Sequence, residues 1–198
     1  MTASAPRFDV LLSRQQVAER VTGLGAELIE RLGDDLSDVT VVALLRGAVF
    51  FFVDLVRAMG SPTDLRFELV RASSYADGVT DPGGAGGDAA ATESRGQVSL
   101  DAAALVGCKG RRVVLVDDII DTGLTLSTLD ARLRKLGATD VITVALLDKR
   151  SRRTVDYHPH LAGFEIPDHF VVGYGLDCDG RYRTLADICV LQTPPAGH

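Results

Sequence analysis

The sequence lacks a long uninterrupted run of apolar residues. Residues 1–16 contain no apolar stretch of signal-peptide length, and Arg46 and Asp54 interrupt the most apolar segment of the chain. A helix that crosses a membrane needs about 20 mostly apolar residues. We therefore expect a cytoplasmic protein that is neither exported nor inserted into a membrane, and that has no membrane partner.

Cysteine and positive charge are also scarce. The three cysteines, Cys108, Cys178 and Cys189, form no CxxC pair, which is typical of reduced thiols in a cytosolic protein. The formal net charge of -6 argues against a general nucleic-acid-binding surface, although a local basic patch is compatible with it. We expect no nucleic-acid partner.

The sequence does contain enough apolar material for one core. With 198 residues, 46% of them hydrophobic and 24% charged, the chain has the size and composition of one globular domain. We therefore expect residues 1–198 to form a single domain.

Apolar residues recur with helical and strand spacing along the chain. Ser13 is placed to cap a helix that ends near Gly33. After this helix, short apolar runs alternate with amphipathic stretches, as in α/β proteins with a mainly parallel, twisted sheet flanked by helices. The predicted strands are Thr40–Leu45, Leu65–Arg71, Arg112–Asp117 and Val141–Leu147, and the predicted helices are about Ala48–Met59 and Thr122–Leu136.

Residues 76–97 differ in composition from the rest of the chain. They are rich in glycine, aspartate and alanine, and apart from Val79 they include no large apolar residue. This composition predicts a flexible loop.

The most informative stretch is VVLVDDIIDTGLT, residues 113–125. Its first four residues are typical of a buried strand, and Asp117 and Asp118 follow at the carboxyl edge of the sheet, where open α/β folds bind ligands. The phosphate loop (residues 121–125) then supplies a glycine, two hydroxyls and the free N–H groups of a helix start, which suit a phosphate monoester. The plainer alternative is an acidic helix cap followed by a glycine turn.

This stretch resembles the phosphoribosyl-diphosphate (PRPP) motif of the type I phosphoribosyltransferases. Other segments narrow the resemblance to the hypoxanthine-guanine branch: Leu45-Arg46-Gly47 resembles its pyrophosphate loop, and residues 146–150 and 163–177 resemble its purine pocket. The resemblance implies the type I phosphoribosyltransferase fold, with a small hood built from the N-terminal helix and C-terminal strands. It also makes the peptide between Leu45 and Arg46 a candidate for the cis form.

The resemblance implies a purine salvage enzyme that transfers the 5-phosphoribosyl group of PRPP to hypoxanthine or guanine, giving IMP or GMP and pyrophosphate. The residues implied to bind PRPP are Asp117, Asp118, Asp121, Thr122, Gly123, Leu124 and Thr125. Those implied for pyrophosphate are Arg46, Gly47 and Arg183, and those for the purine are Lys149, Phe170, Val171 and Asp177. A Mg2+ ion is implied near Asp117, Asp118 and Asp177. In this family the flexible loop follows a Ser-Tyr pair, here Ser74-Tyr75.

Asp121 is the residue for which the resemblance implies a catalytic role, because it would hydrogen-bond N7 of the base or accept its proton. A carboxylate at this position could instead cap the following helix. Lys149 would donate to a 6-oxo group, so we expect 6-oxopurines to be better substrates than adenine. Phe170 would stack on the base, although a lone aromatic between apolar residues is also typical of a core.

Two alternative functions stay open on the sequence alone. One is a phosphoribosyltransferase that prefers xanthine. The other is an RNA-binding regulator on the same fold, which would need a basic face that the net charge of -6 disfavours. We also expect a homodimer or homotetramer.

Overall fold

The strands of the chain form one large and one small sheet. The protein is described by a computed structural model that covers residues 6–60, 63–74, 98–100 and 105–192. Within these ranges the strands are β1 (Phe8–Leu12), β2 (Val39–Leu45), β3 (Arg66–Ser74), β4 (Val98–Leu100), β5 (Arg112–Ile120), β6 (Asp140–Asp148), β7 (Leu161–Glu165), β8 (Val171–Val172) and β9 (Ile188–Leu191). The helices are α1 (Arg14–Leu32), α2 (Val49–Ala58) and α3 (Leu124–Lys135), with short 3-10 helices at Val106–Cys108 and Arg150–Arg152.

The large sheet has the strand order β4-β3-β2-β5-β6-β7. Every neighbouring pair from β3 to β7 is parallel, and β4 lies antiparallel to β3 at one edge. The prediction of a mainly parallel α/β sheet is therefore confirmed. Because parallel strands end at the same edge, the carboxyl ends of β2, β5 and β6 lie side by side, with Ala43 opposite Val116 and Ile120 opposite Asp148.

Apolar side chains fill the space on both faces of this sheet. One core cluster joins α1 and α2 to the face that carries Val41 and Val116. A second cluster joins α3 to the opposite face, which carries Val42 and Leu115. Since both faces are covered, the strands consist of nearly continuous apolar runs, as the sequence predicted.

Helix α1 begins where the sequence predicts it. Gln16 N donates to the Ser13 hydroxyl (3.3 Å) and Ser13 N donates to the Gln16 side chain (2.9 Å), which together form a capping box. The helix ends before Gly33, whose φ of +76° suits glycine. Its buried residues recur at steps of three and four and are Val17, Val21, Leu24, Gly25, Leu28 and Leu32.

The small sheet is antiparallel, has the order β1-β9-β8, and forms the hood. The expectation that the N-terminal helix belongs to the hood is wrong. The apolar face of α1 is buried against α2 and the central sheet, so the N-terminal part of the hood is strand β1. Its register pairs Phe8 with Leu191.

Element boundaries shift slightly from the predicted ones. Strand β5 continues through Asp117 and Asp118 to Ile120, because its ladder with β6 extends that far. Tyr75 and residues 76–97, the predicted flexible loop, lie outside the described residues, while Ser74 is the last residue of β3.

The three cysteines are buried and free. No helix among the described residues has both the length and the apolar character needed to cross a membrane.

Candidate active site

Two partly buried carboxylates, Asp117 and Asp118, lie near the carboxyl end of β5. The amide of Asp118 donates to Asp117 Oδ1 at 3.0 Å. Removal from water, followed by repulsion from Asp118, raises the pKa of Asp117 well above its ordinary value. Burial also raises the pKa of Asp118, an effect that the positive charge of Arg183 partly offsets. The pair therefore favours a ligand that brings positive charge or hydrogen-bond donors.

The phosphate loop forms the turn between β5 and α3. Gly123 has a φ of +84°, a left-handed conformation that favours glycine. It occupies the cap position of α3 without a side-chain cap bond, while the Thr122 hydroxyl accepts from Leu124 N at 3.3 Å. Asp121 is therefore not the cap of this helix. A cavity of about 80 Å³ opens here, lined by Asp117, Ile119, Ile120, Asp121, Thr122, Gly123, Thr125 and Leu126.

The segment that follows β2 packs directly on the acid pair. The peptide between Leu45 and Arg46 is cis, as the resemblance suggested. A Cβ added to Gly47 would lie 1.8 Å from Asp118 Oδ2, so only glycine lets this backbone approach the carboxylate so closely. A Cβ added to Gly175 would lie 2.0 Å from the Gly47 carbonyl oxygen. Three distant segments of the chain therefore meet around Asp118.

Arg183 and Asp177 lie beside this meeting point and bind each other. Arg183 Nη2 lies 2.8 Å from Asp177 Oδ1, and Arg183 Nη1 donates to the Gly175 carbonyl at 2.6 Å. The other carboxylate oxygen of Asp177 accepts from Gly180 N at 2.7 Å. Each oxygen of Asp177 already has one partner, so a metal or purine would use the remaining lone pairs.

The candidate base side carries a chain of opposite charges. Lys149, of which only 9% is exposed, has its ammonium 3.5 Å from Asp168 Oδ1. The second carboxylate oxygen of Asp168 lies 3.6 Å from Arg152 Nη1, and Arg152 Nε lies 3.1 Å from Asp121 Oδ1. Lys149 and Asp121, the two residues implied to contact the base at positions 6 and 7, are thus linked through Asp168 and Arg152.

The remaining predicted purine residues belong to the hood. Val171 is buried in β8. Phe170 is partly buried and packs against the hood cluster of Val172, Cys178, Cys189 and Leu191. This packing supports the interpretation of Phe170 as a core residue and leaves stacking on a base as a prediction.

Sequence reasoning gave no individual role to four charged residues of this region. Asp148, at the end of β6, is buried and forms an ion pair with the buried Arg153. Arg152 and Asp168 complete the set through the contacts above. The available signal was the run of charges that directly follows the buried strand β6, because unpaired charges cannot remain at such a position.

Comparison with known proteins places these features in context. Residues 9–179 match the phosphoribosyl transferase domain family. The chain is 37% identical over 183 residues to the hypoxanthine-guanine phosphoribosyltransferase of Bacillus subtilis (strain 168), covering 92% of this chain and 92% of that relative. Its structure is similar to that of a hypoxanthine-guanine phosphoribosyltransferase (hpt-2) from Bacillus anthracis, with a TM-score of 0.76, 33% identity and coverage of 92% and 97% of the two chains. It is also similar to the Trypanosoma cruzi hypoxanthine phosphoribosyl transferase, with a TM-score of 0.79, 29% identity and coverage of 97% and 94%.

Proposed function

Because the chain belongs to the phosphoribosyltransferase family, we propose that it is a single-domain purine salvage enzyme with its active site at the carboxyl edge of the sheet. It transfers the 5-phosphoribosyl group of PRPP to hypoxanthine or guanine, giving IMP or GMP and pyrophosphate. One observation carries the site assignment: the acid pair, the phosphate loop and the Gly47 backbone meet within one edge. Each suits a different part of PRPP, namely the ribose hydroxyls, the 5-phosphate and the pyrophosphate.

The charges that develop during the reaction require positively charged side chains beside the pyrophosphate. Breaking the glycosidic C–O bond leaves positive charge on the sugar and negative charge on the departing pyrophosphate. Arg46, at the cis peptide, and Arg183, whose charge acts on Asp118, are the cations assigned to that leaving group. The close packing of Gly47 on Asp118 keeps the Arg46–Gly47 main chain near the acid pair.

A Mg2+ ion bound mostly by PRPP and water would lie near the carboxylates Asp117, Asp118 and Asp177. The donor set fits, because Mg2+ prefers oxygen ligands. Burial raises the pKa of both members of the acid pair, so a cation beside them would favour their charged forms. The described residues contain no cluster of three or more side chains able to form a metal cage. Most ligands would therefore come from PRPP and water, and the bound ion would neutralise charge on the pyrophosphate.

Asp121 is the proposed catalytic residue. Its carboxylate lies at the mouth of the phosphate loop and does not cap α3, so it is available to a base nitrogen. It would hydrogen-bond N7 of the purine or accept its proton at a distance of about 2.6–3.2 Å. In the structure Arg152 binds this carboxylate, and the exposed Arg152 side chain would move aside as the base enters.

Base choice would follow from Lys149, Phe170, Val171 and Asp177. Lys149 is charged and nearly buried, so a 6-oxo acceptor satisfies it, whereas the 6-amino group of adenine places a donor against a donor. The Val171 carbonyl and Asp177 are acceptors suited to the 2-amino group of guanine. Phe170 would supply the apolar surface on which the ring lies.

Assembly into a homodimer or homotetramer is part of the proposal, as is location in the cytoplasm. Large apolar side chains are exposed on α2, at Phe50 and Val53, and on β3, at Phe67 and Leu69. The Phe67 ring lies 5.7 Å from that of Phe52, a buried residue of α2. Exposed large apolar side chains are a feature of protein interfaces. Light scattering over a range of protein concentrations tests the assembly.

The experiment that tests the function is release of pyrophosphate from PRPP and Mg2+ with each of four bases. Hypoxanthine and guanine should both react, and adenine should have a kcat/KM lower by about 10⁴-fold, because its 6-amino group would place a donor against the Lys149 ammonium. Xanthine, with a 2-oxo acceptor facing acceptors, should be poor. If xanthine exceeded guanine, the protein would be a xanthine enzyme, and if no base reacted while RNA bound in a salt-dependent manner, it would be a regulator.

A further inference from the structure

One buried guanidinium, that of Arg153, connects strand β6 to the phosphate loop. Its side chain is 8% exposed and forms an ion pair with Asp148, whose side chain is 2% exposed. Arg153 Nη1 also donates to the Asp121 main-chain carbonyl at 2.5 Å. The guanidinium therefore joins the last residue of β6 to the main chain of the proposed catalytic residue.

The same side chain packs on the glycine turn of the phosphate loop. A Cβ added to Gly123 would lie 2.8 Å from Arg153 Cδ and 3.2 Å from Val155 Cγ2. The adjacent Thr154 amide donates to the Thr122 carbonyl at 3.0 Å, so a main-chain bond supports the contact. The left-handed turn at Gly123 is thus covered from one side by residues 153–155.

The arrangement leaves one donor unsatisfied. Arg153 Nε is the buried side-chain polar atom without a hydrogen-bond partner in the part of the chain that the structure describes. A buried donor without a partner is unfavourable for folding. Arginine suits this position despite the unpaired Nε, because its planar guanidinium can bind Asp148 and the Asp121 carbonyl at the same time.

We propose that Arg153 is a positioning residue, which holds the Asp121 peptide and the Gly123 turn in place against β6. This inference rests on the proposed function, because the positioned groups are those assigned to N7 of the base and to the 5-phosphate. The contacts of Arg153 are with Asp148, the Asp121 carbonyl and the Gly123 turn, and the proposal gives it no contact with either substrate. It acts through main-chain geometry, to which reaction rates are sensitive at the scale of about 1 Å.

The test is steady-state kinetics of Arg153→Lys with PRPP, Mg2+ and hypoxanthine. A lysine ammonium can bind Asp148 or the Asp121 carbonyl but lacks the planar fork that spans both. We expect kcat/KM for PRPP to fall by about 10²-fold. The KM for hypoxanthine should change by about twofold or less, since the contacts of Arg153 lie on the phosphate side.

Arg150→Lys is the matched control. Arg150 binds the same carboxylate, with Nε 3.3 Å from Asp148 Oδ2, but it is 60% exposed and also pairs with Glu165. Its contacts with Asp148 and Glu165 leave the phosphate loop untouched, so this variant should keep both KM values. Thermal unfolding of each variant ensures that the assay is run on folded protein.

Asp148→Asn provides the second variant. The asparagine keeps the shape of the Asp148 side chain but removes its charge. This variant should also lower kcat/KM for PRPP while the KM for hypoxanthine stays nearly unchanged, with a smaller loss than in Arg153→Lys. It provides the test if Arg153→Lys does not fold.

The inference is overturned if kcat/KM for PRPP stays within about threefold of wild type, or if both KM values rise together as in a generally loosened protein. An inactive wild-type protein would instead refute the proposed function.

Discussion

The phosphate side and the base side of the candidate site are built in different ways. On the phosphate side, the phosphate loop is a single turn of consecutive residues between β5 and α3, and its shape depends on the left-handed Gly123. The main chain at Gly47 packs on Asp118 beside it. The base side is assembled from segments that are distant in sequence, around Lys149 and Arg152 and at residues 168–177, and much of it is held by ion pairs. Main-chain geometry determines the first side, and side-chain pairing determines the second.

This difference predicts unequal tolerance to substitution. A glycine that packs against a carboxylate leaves no space for a methyl group. Ion pairs between half-exposed side chains, such as Arg152 and Asp121, contribute little and are easily exchanged for water or ligand. Substitutions on the phosphate side should therefore have large effects, whereas those at exposed charges of the base side should have small ones.

The largest effect is expected for Asp121→Asn. Asp121 lies between the two sides of the site, and this variant tests whether its carboxylate takes part in catalysis. The amide keeps the shape of the side chain but cannot accept a proton, so kcat should fall by about 10²–10⁴-fold while PRPP binding is retained. The measurements are steady-state kcat and PRPP affinity by calorimetry.

Asp156→Asn serves as the control for Asp121→Asn, because the Asp156 side chain is fully exposed at 100%. It should behave as wild type. A kcat for Asp121→Asn within a few-fold of wild type would mean that the carboxylate of Asp121 does not take part in proton transfer.

A somewhat smaller loss is expected for Gly47→Ala. The new Cβ would lie 1.8 Å from Asp118 Oδ2 and 2.6 Å from its Cγ, so either the cis loop or the carboxylate must move. A displacement on the 1 Å scale predicts a loss of about 10²-fold in kcat/KM for PRPP. Gly23→Ala is the control, because Gly23 lies in α1 with its nearest atom, Arg20 Nη1, 3.5 Å from the added Cβ. Equal activity of the two alanine variants would show that the close approach of Gly47 to Asp118 is dispensable.

The sequence predicted most of the local structure on the proposed phosphate side. Apolar strand residues, the acid pair and the phosphate loop are consecutive, so strand periodicity and glycine chemistry specify them locally. The cis peptide at Arg46 came only from the family resemblance, since no local propensity favours it. Its presence is confirmed.

The base side was predicted only in part, because its contacts are not local. Lys149 was identified, but its partner Asp168 lies on a different segment, and a sequence of alternating charges does not specify which charges pair. The buried pair of Asp148 and Arg153 was missed for the same reason. The hood was also predicted with the wrong N-terminal element, since the amphipathic face of α1 does not indicate which surface it covers.

Asp117→Asn should make the folded protein more stable, although it should lower activity. The folded chain raises the pKa of Asp117 above its ordinary value of 3.8, chiefly by burial, so ionisation near neutral pH destabilises the folded state. The amide removes this penalty and should raise Tm in Mg2+-free buffer, by about 2–4 °C for each kcal/mol recovered.

The stability gained by Asp117→Asn should depend on pH. At pH values near the ordinary pKa of Asp117 and below it, the wild-type carboxyl is protonated in the folded chain. In the unfolded chain it also becomes protonated as the pH falls through this range, so the destabilising effect of ionisation disappears. The wild type should therefore approach the variant as pH falls to about 4. Melting curves of both proteins across this range test the sign, and a variant that melts below wild type at neutral pH would contradict it.

The smallest effect is expected for Arg152→Gln, which distinguishes the role of Arg152 from that of its neighbour Arg153. Arg152 binds the carboxylate of Asp121 but is 50% exposed. In the proposed reaction the incoming base replaces it there. Its loss should leave kcat within about threefold of wild type and should leave the KM for hypoxanthine unchanged or slightly lower, because exposed ion pairs contribute little.

Arg153→Lys, one residue further and buried, should lose far more activity although it preserves the charge. The two variants are best compared in parallel assays with PRPP and hypoxanthine. A large loss for Arg152→Gln would show that half-exposed charge on the base side takes part in the reaction, and the contrast between the two sides of the site would then be wrong.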